Sequence, residues 1–263
     1  MVLKKLILTG LTLLLLIGCT PQHMSTPQKG SSIEAELLVS AAASLANSLD
    51  EIGLLFEQQN SGITVAYNYG SSGALQHQIE QGAPVDLFLS AGKKQMANLV
   101  EAGFIDQEKS VTLLGNELVV IVPASELGSW DDLSPFISSS IQMIAIGELH
   151  TVPAGEYARS ALVASGIWDK LNNKIVYAKD VSQVLSYVET GNVDAGIVYK
   201  SVAMSSSKVK IAFSIDAKTH DIIEYPLGIV NTSRNQEAAK VYYDFLQSLE
   251  VLEIFKKYGF TTK

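Results

Sequence analysis

Short β-prone runs alternate with amphipathic helical segments along most of the chain, and this rhythm constrains the fold more than any other feature. After the first run, Leu37–Val39, apolar residues recur at helical spacing from Leu45 to Phe56. Further runs of this kind are Ile63–Tyr67, Asp86–Ser90, Leu118–Val122, Met143–Ile146, Ile175–Tyr177, Ala195–Tyr199, Ile211–Phe213 and Ile222–Val230. The alternation predicts an α/β fold in which parallel or mixed sheets lie between helices.

Two long β-prone runs, Leu113–Val122 and Glu224–Val230, bracket a segment with strands and helices of its own. We predict that the chain leaves a first lobe at one run and returns to it at the other. Lobe I would then comprise 33–116 and 228–263, and lobe II 117–227. Because ligands of open α/β sheets bind at the carboxyl ends of the strands, we expect a cleft between the lobes there. A single larger sheet is the alternative arrangement.

The amino-terminal residues carry signals of export. Lys4 and Lys5 precede an apolar stretch too short to span a bilayer. The only cysteine, Cys19, follows that stretch at the position where a bacterial lipoprotein signal places the lipidated residue. We therefore interpret 1–18 as a lipoprotein signal peptide and 19–32, rich in Pro, Ser, Thr and Gln, as a flexible tether. The alternative is a plain signal peptide or anchor with a chance cysteine.

These signals predict an exported protein, anchored to a membrane by acyl chains and facing the periplasm or the cell exterior. The formal net charge is −8 at pH 7, and it becomes more negative once Lys4 and Lys5 are removed. An acidic chain argues against a nucleic-acid partner. An anion site in such a chain must be built locally, from oriented dipoles, since the overall field repels anions.

Four predicted helix starts, each directly after a strand, share small or capping residues. They are Ser44 after three alanines, Ser72 within Gly70–Gly73, Ala154 after Val152-Pro153, and Val181 after Asp180. A helix start presents unpaired N–H groups and the positive end of the helix dipole, and small side chains let an anion approach them. Tyr199 ends a predicted strand, which would bring its hydroxyl to the same edge. Each residue also has a plain structural interpretation: a cap, a turn, or a half-buried aromatic side chain. We predict Ser44 as the N-cap of its helix.

Five segments form a pattern that is specific to one family. They are Ala41–Leu45 (AAASL), Gly82–Phe88 (GAPVDLF), Val152–Ala158 (VPAGEYA), Gly196–Tyr199 (GIVY) and Ile254–Phe260 (IFKKYGF). In this order they resemble the periplasmic molybdate-binding proteins of molybdate ABC transporters, and the resemblance runs from Leu37 to Lys263. It implies a two-lobed, type II solute-binding fold with mixed sheets, flanking helices and a ligand cleft between the lobes.

The resemblance also implies a set of ligand contacts, made without lysine, arginine or any bond from protein to metal. Ser44, Ser72 and Tyr199 would donate hydroxyl groups to a tetrahedral oxyanion, and Ala154 and Val181 would donate backbone N–H groups. The implied ligand is molybdate or tungstate, with no other cofactor. The implied partners are a separate membrane permease and ATPase, and we expect a monomer without enzymatic activity.

Some positions depart from the family's usual pattern. Gly147-Glu148-Leu149-His150 stands where relatives often carry Gly-Asp-Pro, and Val202 stands where an acidic residue is common. Lys200 would bring a cation near the rim of the cleft. These departures bear on fine tuning of the site more than on the class of ligand.

Other ligands and other chemistry stay open at this point. A site made only of donors suits an oxyanion without a proton, whereas hydrogen phosphate would need an acceptor, and the nearest candidate, Asp180, is expected to cap its own helix. A receptor for sulfate, phosphate or a carboxylate is the alternative. A more distant one is a serine acyl enzyme, because Ser90 and Lys93 have the S-x-x-K spacing. The accompanying motifs of such enzymes are missing, and the four histidines show no metal-ligand spacing.

Overall fold

Strands and helices alternate as the sequence predicts. The computed structural model describes residues 33–128, 130–171 and 173–262, so the predicted signal peptide 1–18, the tether 19–32 and Cys19 lie outside the described residues. The strands are β1 (Ala35–Ala42), β2 (Ile63–Gly70), β3 (Leu87–Leu89), β4 (Ile105–Gly115), β5 (Leu118–Pro123), β6 (Ile144–Gly147), β7 (Ile175–Ala178), β8 (Ala195–Tyr199), β9 (Val209–Ser214), β10 (Glu224–Val230) and β11 (Thr261–Thr262).

The helices follow the strands in the expected rhythm. They are α1 (Ala46–Gln59), α2 (Ser72–Glu80), α3 (Lys93–Glu101), α4 (Pro153–Ala164), α5 (Val181–Glu189), α6 (Lys200–Ala203), α7 (Gln236–Phe245) and α8 (Leu249–Lys257). In α1 the predicted apolar face is observed, since Leu49, Ile52 and Phe56 are fully buried. Among the described residues, no helix combines the length and the apolar character that crossing a membrane requires.

Two mixed sheets hold the strands. The first has the order β11-β4-β10-β3-β1-β2, and the second has the order β7-β6-β8-β5-β9. In the first sheet β1 is parallel to β2 and β3, whereas β10 is antiparallel to β3 and β4. In the second sheet β6 is parallel to β7 and β8, whereas β5 is antiparallel to β8 and β9. The expectation of mixed sheets flanked by helices is confirmed, and the alternative of a single sheet is wrong.

The chain passes between the sheets twice. It leaves the first sheet between β4 and β5, where Asn116 and Glu117 interrupt the long β-prone run, and it returns after β9 to form β10. Strand β10 is buried along its whole length and pairs within the first sheet on both sides of the predicted lobe limit at 227/228. The exact limits of the lobes stay a prediction.

The parallel strands bring the candidate residues to comparable positions. Strand β1 ends at Ala42, just before Ser44, and β2 ends at Gly70, just before Ser72. In the second sheet, β7 precedes Val181 and β8 ends at Tyr199 itself. These four candidates therefore lie at or just beyond the carboxyl ends of strands, which is the edge where open α/β sheets bind ligands.

Candidate functional site

A small cavity lies where residues from the carboxyl ends of both sheets meet. Its lining from the first sheet's side is Ala42, Ala43, Ser44, Gly70, Ser71, Ser72 and Ala91, and from the second Val152, Pro153, Asp180, Val181 and Tyr199. The cavity volume is about 10 Å³, room for about one water molecule. A tetrahedral oxyanion is larger than water, so its binding here requires the two sides to separate slightly or their side chains to reorient.

Four of the five predicted site residues line this cavity: Ser44, Ser72, Val181 and Tyr199. The fifth, Ala154, is fully buried and directly follows Pro153, which does line the cavity. The structure therefore brings together positions that are up to 155 residues apart in sequence. Their roles in binding stay a prediction.

Helices α2, α4 and α5 begin at the cavity. Helix α2 begins at Ser72, α5 begins at Val181, and α4 begins at Pro153 with Ala154 as its second residue. First-turn N–H groups lack partners inside their own helix, so these starts offer donors to an anion. Asp180 Oδ1 accepts the Gln183 N–H at 2.8 Å. Its carboxylate therefore caps α5, as the sequence predicts.

The predicted N-cap role of Ser44 is wrong. Strand β1 runs into a short 3-10 turn, Ala43–Leu45, so α1 begins only at Ala46 and its N-cap position is Leu45. Ser44 therefore lies inside this turn and not at the N-cap position of α1. Its Oγ lies 2.9 Å from the hydroxyl oxygen of Tyr225 instead.

The peptide groups of Ala91 hold two other candidate hydroxyls. The Ala91 N–H donates to Ser72 Oγ at 2.9 Å, and the Tyr199 hydroxyl donates to the Ala91 carbonyl at 3.1 Å. Because Ser72 Oγ accepts there, its hydroxyl hydrogen is directed elsewhere. Burial, followed by the neighbouring Tyr225 and Tyr157, raises the pKa of Tyr199 well above its usual value. Tyr199 therefore stays a neutral donor, and its hydrogen must rotate away from Ala91 to reach an anion.

The two sides of the cavity touch through glycines. The Gly73 N–H donates to the Thr151 carbonyl at 2.9 Å. A Cβ on Gly73 would lie 2.7 Å from the Thr151 Cα, and one on Gly92 would lie 2.9 Å from Pro153. Only a residue without a side chain allows Gly73 to approach the Thr151 backbone, and Gly92 the Pro153 ring, this closely.

Charged side chains near the cavity are engaged with each other. Lys200 Nζ lies 2.8 Å from Glu117, so the predicted cation near the rim is paired with a carboxylate. Among the described residues, the cavity lining contains no lysine, arginine or histidine. Attraction for an anion must come from N–H and hydroxyl dipoles.

Glu148, one of the departures from the family pattern, organises the loop that leads into α4. Its Oε2 accepts the His150 N–H, the Thr151 N–H and the Thr151 hydroxyl, each at 2.9 Å. Burial alone would raise the pKa of Glu148, but these hydrogen bonds and the charge of His150 lower it on balance. The carboxylate is therefore a structural acceptor that fixes Thr151, whose carbonyl meets Gly73.

The geometry does not favour the serine acyl enzyme. Ser90 is fully buried and donates to the Gly92 carbonyl at 2.7 Å, whereas Lys93 Nζ lies 2.7 Å from Glu224. The lysine thus pairs with a carboxylate, while an activated serine needs a base beside it. Within the described part of the chain, no group of three or more His, Cys, Asp or Glu residues is arranged to hold a metal ion.

Comparison with known proteins decides the family. Residues 37–261 match the family model described as bacterial extracellular solute-binding protein. The chain belongs to this family. Solute-binding proteins of this kind include the molybdate-binding protein ModA of Escherichia coli, which is 38% identical over 88% of this chain and 90% of its own.

Two further relatives extend the match. YvgL of Bacillus subtilis, provisionally named an ABC transporter substrate-binding lipoprotein, is 46% identical over 98% of both chains. A solved substrate-binding domain from Clostridium difficile, provisionally assigned to a molybdenum ABC transporter, is 40% identical, with a TM-score of 0.68 over 87% of this chain and 99% of that one. The resemblance drawn from the five segments and the two-lobed, type II solute-binding fold are confirmed.

Sequence reasoning missed some residues that shape the site of this solute-binding protein. Ala91 follows β3 in the same way that Ser44 and Ser72 follow their strands, so its position was a usable signal. Tyr225 and Asn116 gave none, because the contact of Tyr225 with the Ser44 hydroxyl and that of Asn116 with Tyr225 arise only once both crossings between the sheets are in place.

Proposed function

We propose that this chain captures molybdate, and tungstate as a close analogue, and delivers it to the permease and ATPase of an ABC importer. The observation that carries the proposal is the cavity itself, where hydroxyls and helix starts converge without a lysine, arginine or histidine in the lining. The names of the relatives support the same ligand, since both ModA and the Clostridium difficile domain are named for molybdenum chemistry.

The donor set favours a dianion that carries no proton. Hydrogen bonds to a charged group are each worth roughly 1.5–3 kcal/mol. Half a dozen of them support micromolar or tighter binding after the cost of association. Sulfate presents the same four acceptor oxygens, so we propose that the size of the closed cavity selects molybdate over sulfate. A sulfate or phosphate receptor is not favoured.

We further propose that the chain is exported by the signal peptide 1–18 and anchored through a lipid on Cys19. The name of YvgL as a lipoprotein supports this, as does its match over 98% of this chain. The expected readout is membrane fractionation. The wild-type chain should sediment with membranes, whereas Cys19→Ser should be released. Equal sedimentation of both would refute the anchor and leave the ligand proposal untouched.

Isothermal titration of the purified mature chain tests the ligand. We expect molybdate and tungstate to bind with a stoichiometry near one, and sulfate and phosphate to compete only weakly. Tighter binding of sulfate or phosphate than of molybdate would contradict the proposal.

A further inference from the structure

A chain of hydrogen-bonded side chains, with the buried Tyr225 at its centre, holds the Ser44 hydroxyl. Ser44 Oγ lies 2.9 Å from the Tyr225 hydroxyl oxygen, and Asn116 Nδ2 lies 3.2 Å from that same oxygen. Tyr225 belongs to β10 and is only 1% exposed. Asn116 lies in the crossing between β4 and β5. The chain of contacts therefore runs from the point where the backbone passes between the sheets to a hydroxyl that lines the cavity.

The orientation of the Asn116 amide follows from its neighbours. The Glu117 N–H lies 2.9 Å from Asn116 Oδ1, and a backbone N–H can only donate, so the oxygen must face it. The amide nitrogen then faces the other way and donates to the Tyr225 hydroxyl and, at 2.9 Å, to Ser201 Oγ. The Tyr225 oxygen is thus an acceptor toward Asn116.

The hydroxyl hydrogen of Tyr225 then needs an acceptor of its own. A buried hydroxyl hydrogen without an acceptor is unfavourable, and Ser44 Oγ lies within hydrogen-bond distance. Burial raises the pKa of Tyr225, despite the opposing hydrogen bonds from Ser44 and Asn116, so the phenol keeps its proton at physiological pH. Donation from Tyr225 occupies a lone pair of Ser44 Oγ and leaves the serine hydrogen to point toward the cavity.

The Ser72 hydroxyl is also fixed as a donor, but by a backbone group. Its oxygen accepts the Ala91 N–H, so its hydrogen is also left for the cavity. A deprotonated oxyanion, with acceptors on all four oxygens, matches two fixed donors. Hydrogen phosphate matches them less well, because its own O–H needs an acceptor, while both serine hydrogens are directed at the ligand and each serine oxygen already accepts one hydrogen bond.

We propose that Asn116 and Tyr225 are positioning residues that fix the Ser44 hydroxyl as a donor and so select fully deprotonated oxyanions over protonated ones. This inference rests on the proposed oxyanion-binding function. Neither residue is among those that line the cavity, so both act through Ser44.

Sulfate and phosphate separate the effect of the proton from that of size, since both are tetrahedral and similar in size but only phosphate carries a proton at pH 8. The quantity measured is the ratio of the phosphate Kd to the sulfate Kd, obtained by competition against molybdate. Tyr225→Phe keeps the ring, which packs edge-on against Tyr199 and Phe260. We expect it to lower the ratio about tenfold, the factor that one hydrogen bond to a charged group contributes at the low end.

Tyr67→Phe is the matched control. Like Tyr225, Tyr67 forms a hydrogen bond through its hydroxyl, here at 2.6 Å to the hydroxyl of Tyr242, but it does not line the cavity. We expect this variant to leave the ratio unchanged. Asn116→Ala should lower the ratio in the same direction as Tyr225→Phe, and it provides the readout if thermal melting shows that Tyr225→Phe does not fold.

The Ser44→Ala background gives the decisive comparison. If Tyr225 acts through Ser44, Tyr225→Phe should not change the ratio further in that background. An equal fall in both backgrounds, or no fall in either, would overturn the inference. A wild-type chain that binds none of the three anions would overturn the proposed function itself, whereas wild-type binding with an unchanged ratio in the variants overturns only the role of Tyr225 and Asn116.

Discussion

The two sides of the cavity supply donors of different kinds. The first sheet contributes the hydroxyls of Ser44 and Ser72, each held by a second hydrogen bond within its own surroundings. The second sheet contributes the helix starts at Ala154 and Val181, whose donors are backbone N–H groups, and a single hydroxyl, that of Tyr199, which donates to the Ala91 carbonyl. Removing one atom is enough to test a hydroxyl, whereas a backbone N–H can be tested only by displacing its backbone.

The difference between hydroxyl and backbone donors also suggests that the two sides have different roles in binding. Side-chain hydroxyls can rotate and can be fixed as donors or acceptors by their neighbours, so the first side is suited to distinguishing protonation states. Backbone N–H groups only donate and move only with their helix. The second side is therefore suited to binding charge, provided that it can approach the first side closely.

The largest effect is expected from preventing that approach. Gly73→Val would place side-chain atoms against the backbone of Thr151, since even a Cβ would lie 2.7 Å from its Cα. Backbone cannot give way as a flexible side chain can, so the two sides would be held apart. We expect the Kd for molybdate to rise about a hundredfold or more, from about 3 kcal/mol of overlap.

Gly70→Ala controls for added bulk in the cavity lining itself, because its Cβ would meet only the flexible Leu75 side chain, at 3.3 Å, and would not push the two sides apart. Titration of both variants decides the matter. Equal affinities for Gly73→Val and the wild-type chain would mean that binding does not depend on contact between the two sides here.

The next largest effect is expected on the hydroxyl side. Ser44→Ala and Ser72→Ala should each weaken molybdate binding by roughly 1.5–3 kcal/mol, because each leaves a charged oxygen short of a donor. Each also removes the partner of a buried group, Tyr225 or the Ala91 N–H. Calorimetry on both variants provides the check. If both bind like the wild-type chain, the oxyanion contacts lie on the second side or elsewhere.

The two sides also differed in how far sequence alone could predict them. Helix starts after strands are local, so Val181, its cap Asp180 and the Pro153 start of α4 were predictable from short patterns. The 3-10 turn at Ser44 was not, because an extra turn between strand and helix leaves the apolar spacing of α1 unchanged. Sequence alone places a lobe limit at 116/117 but leaves Leu113–Val122 as one β-prone run, because only pairing in different sheets separates β4 from β5.

A smaller effect is expected in the loop that carries Thr151. Glu148→Gln should lower the free energy of unfolding by about 1 kcal/mol at pH 7, because a neutral amide oxygen accepts the same hydrogen bonds more weakly. The pKa of Glu148 is lowered in the folded chain, so its contribution is present above the unfolded-state pKa and is lost as pH falls through the folded one. Thermal melting as a function of pH should therefore show the two proteins converging in acid. A constant difference across that range would assign the effect to packing.

The smallest effect is expected from Lys200, the cation that sequence placed near the rim of the cleft. Its ammonium pairs with Glu117, and both side chains are more than one third exposed, so the charge is screened by solvent and compensated by its partner. Lys200→Ala should change the molybdate Kd by less than about twofold, with a similarly weak dependence on salt. Titrations at low and high salt measure both. A loss of affinity as large as that of Ser44→Ala would show that long-range charge contributes to binding, and the division of work between hydroxyls on one side and backbone dipoles on the other would then be incomplete.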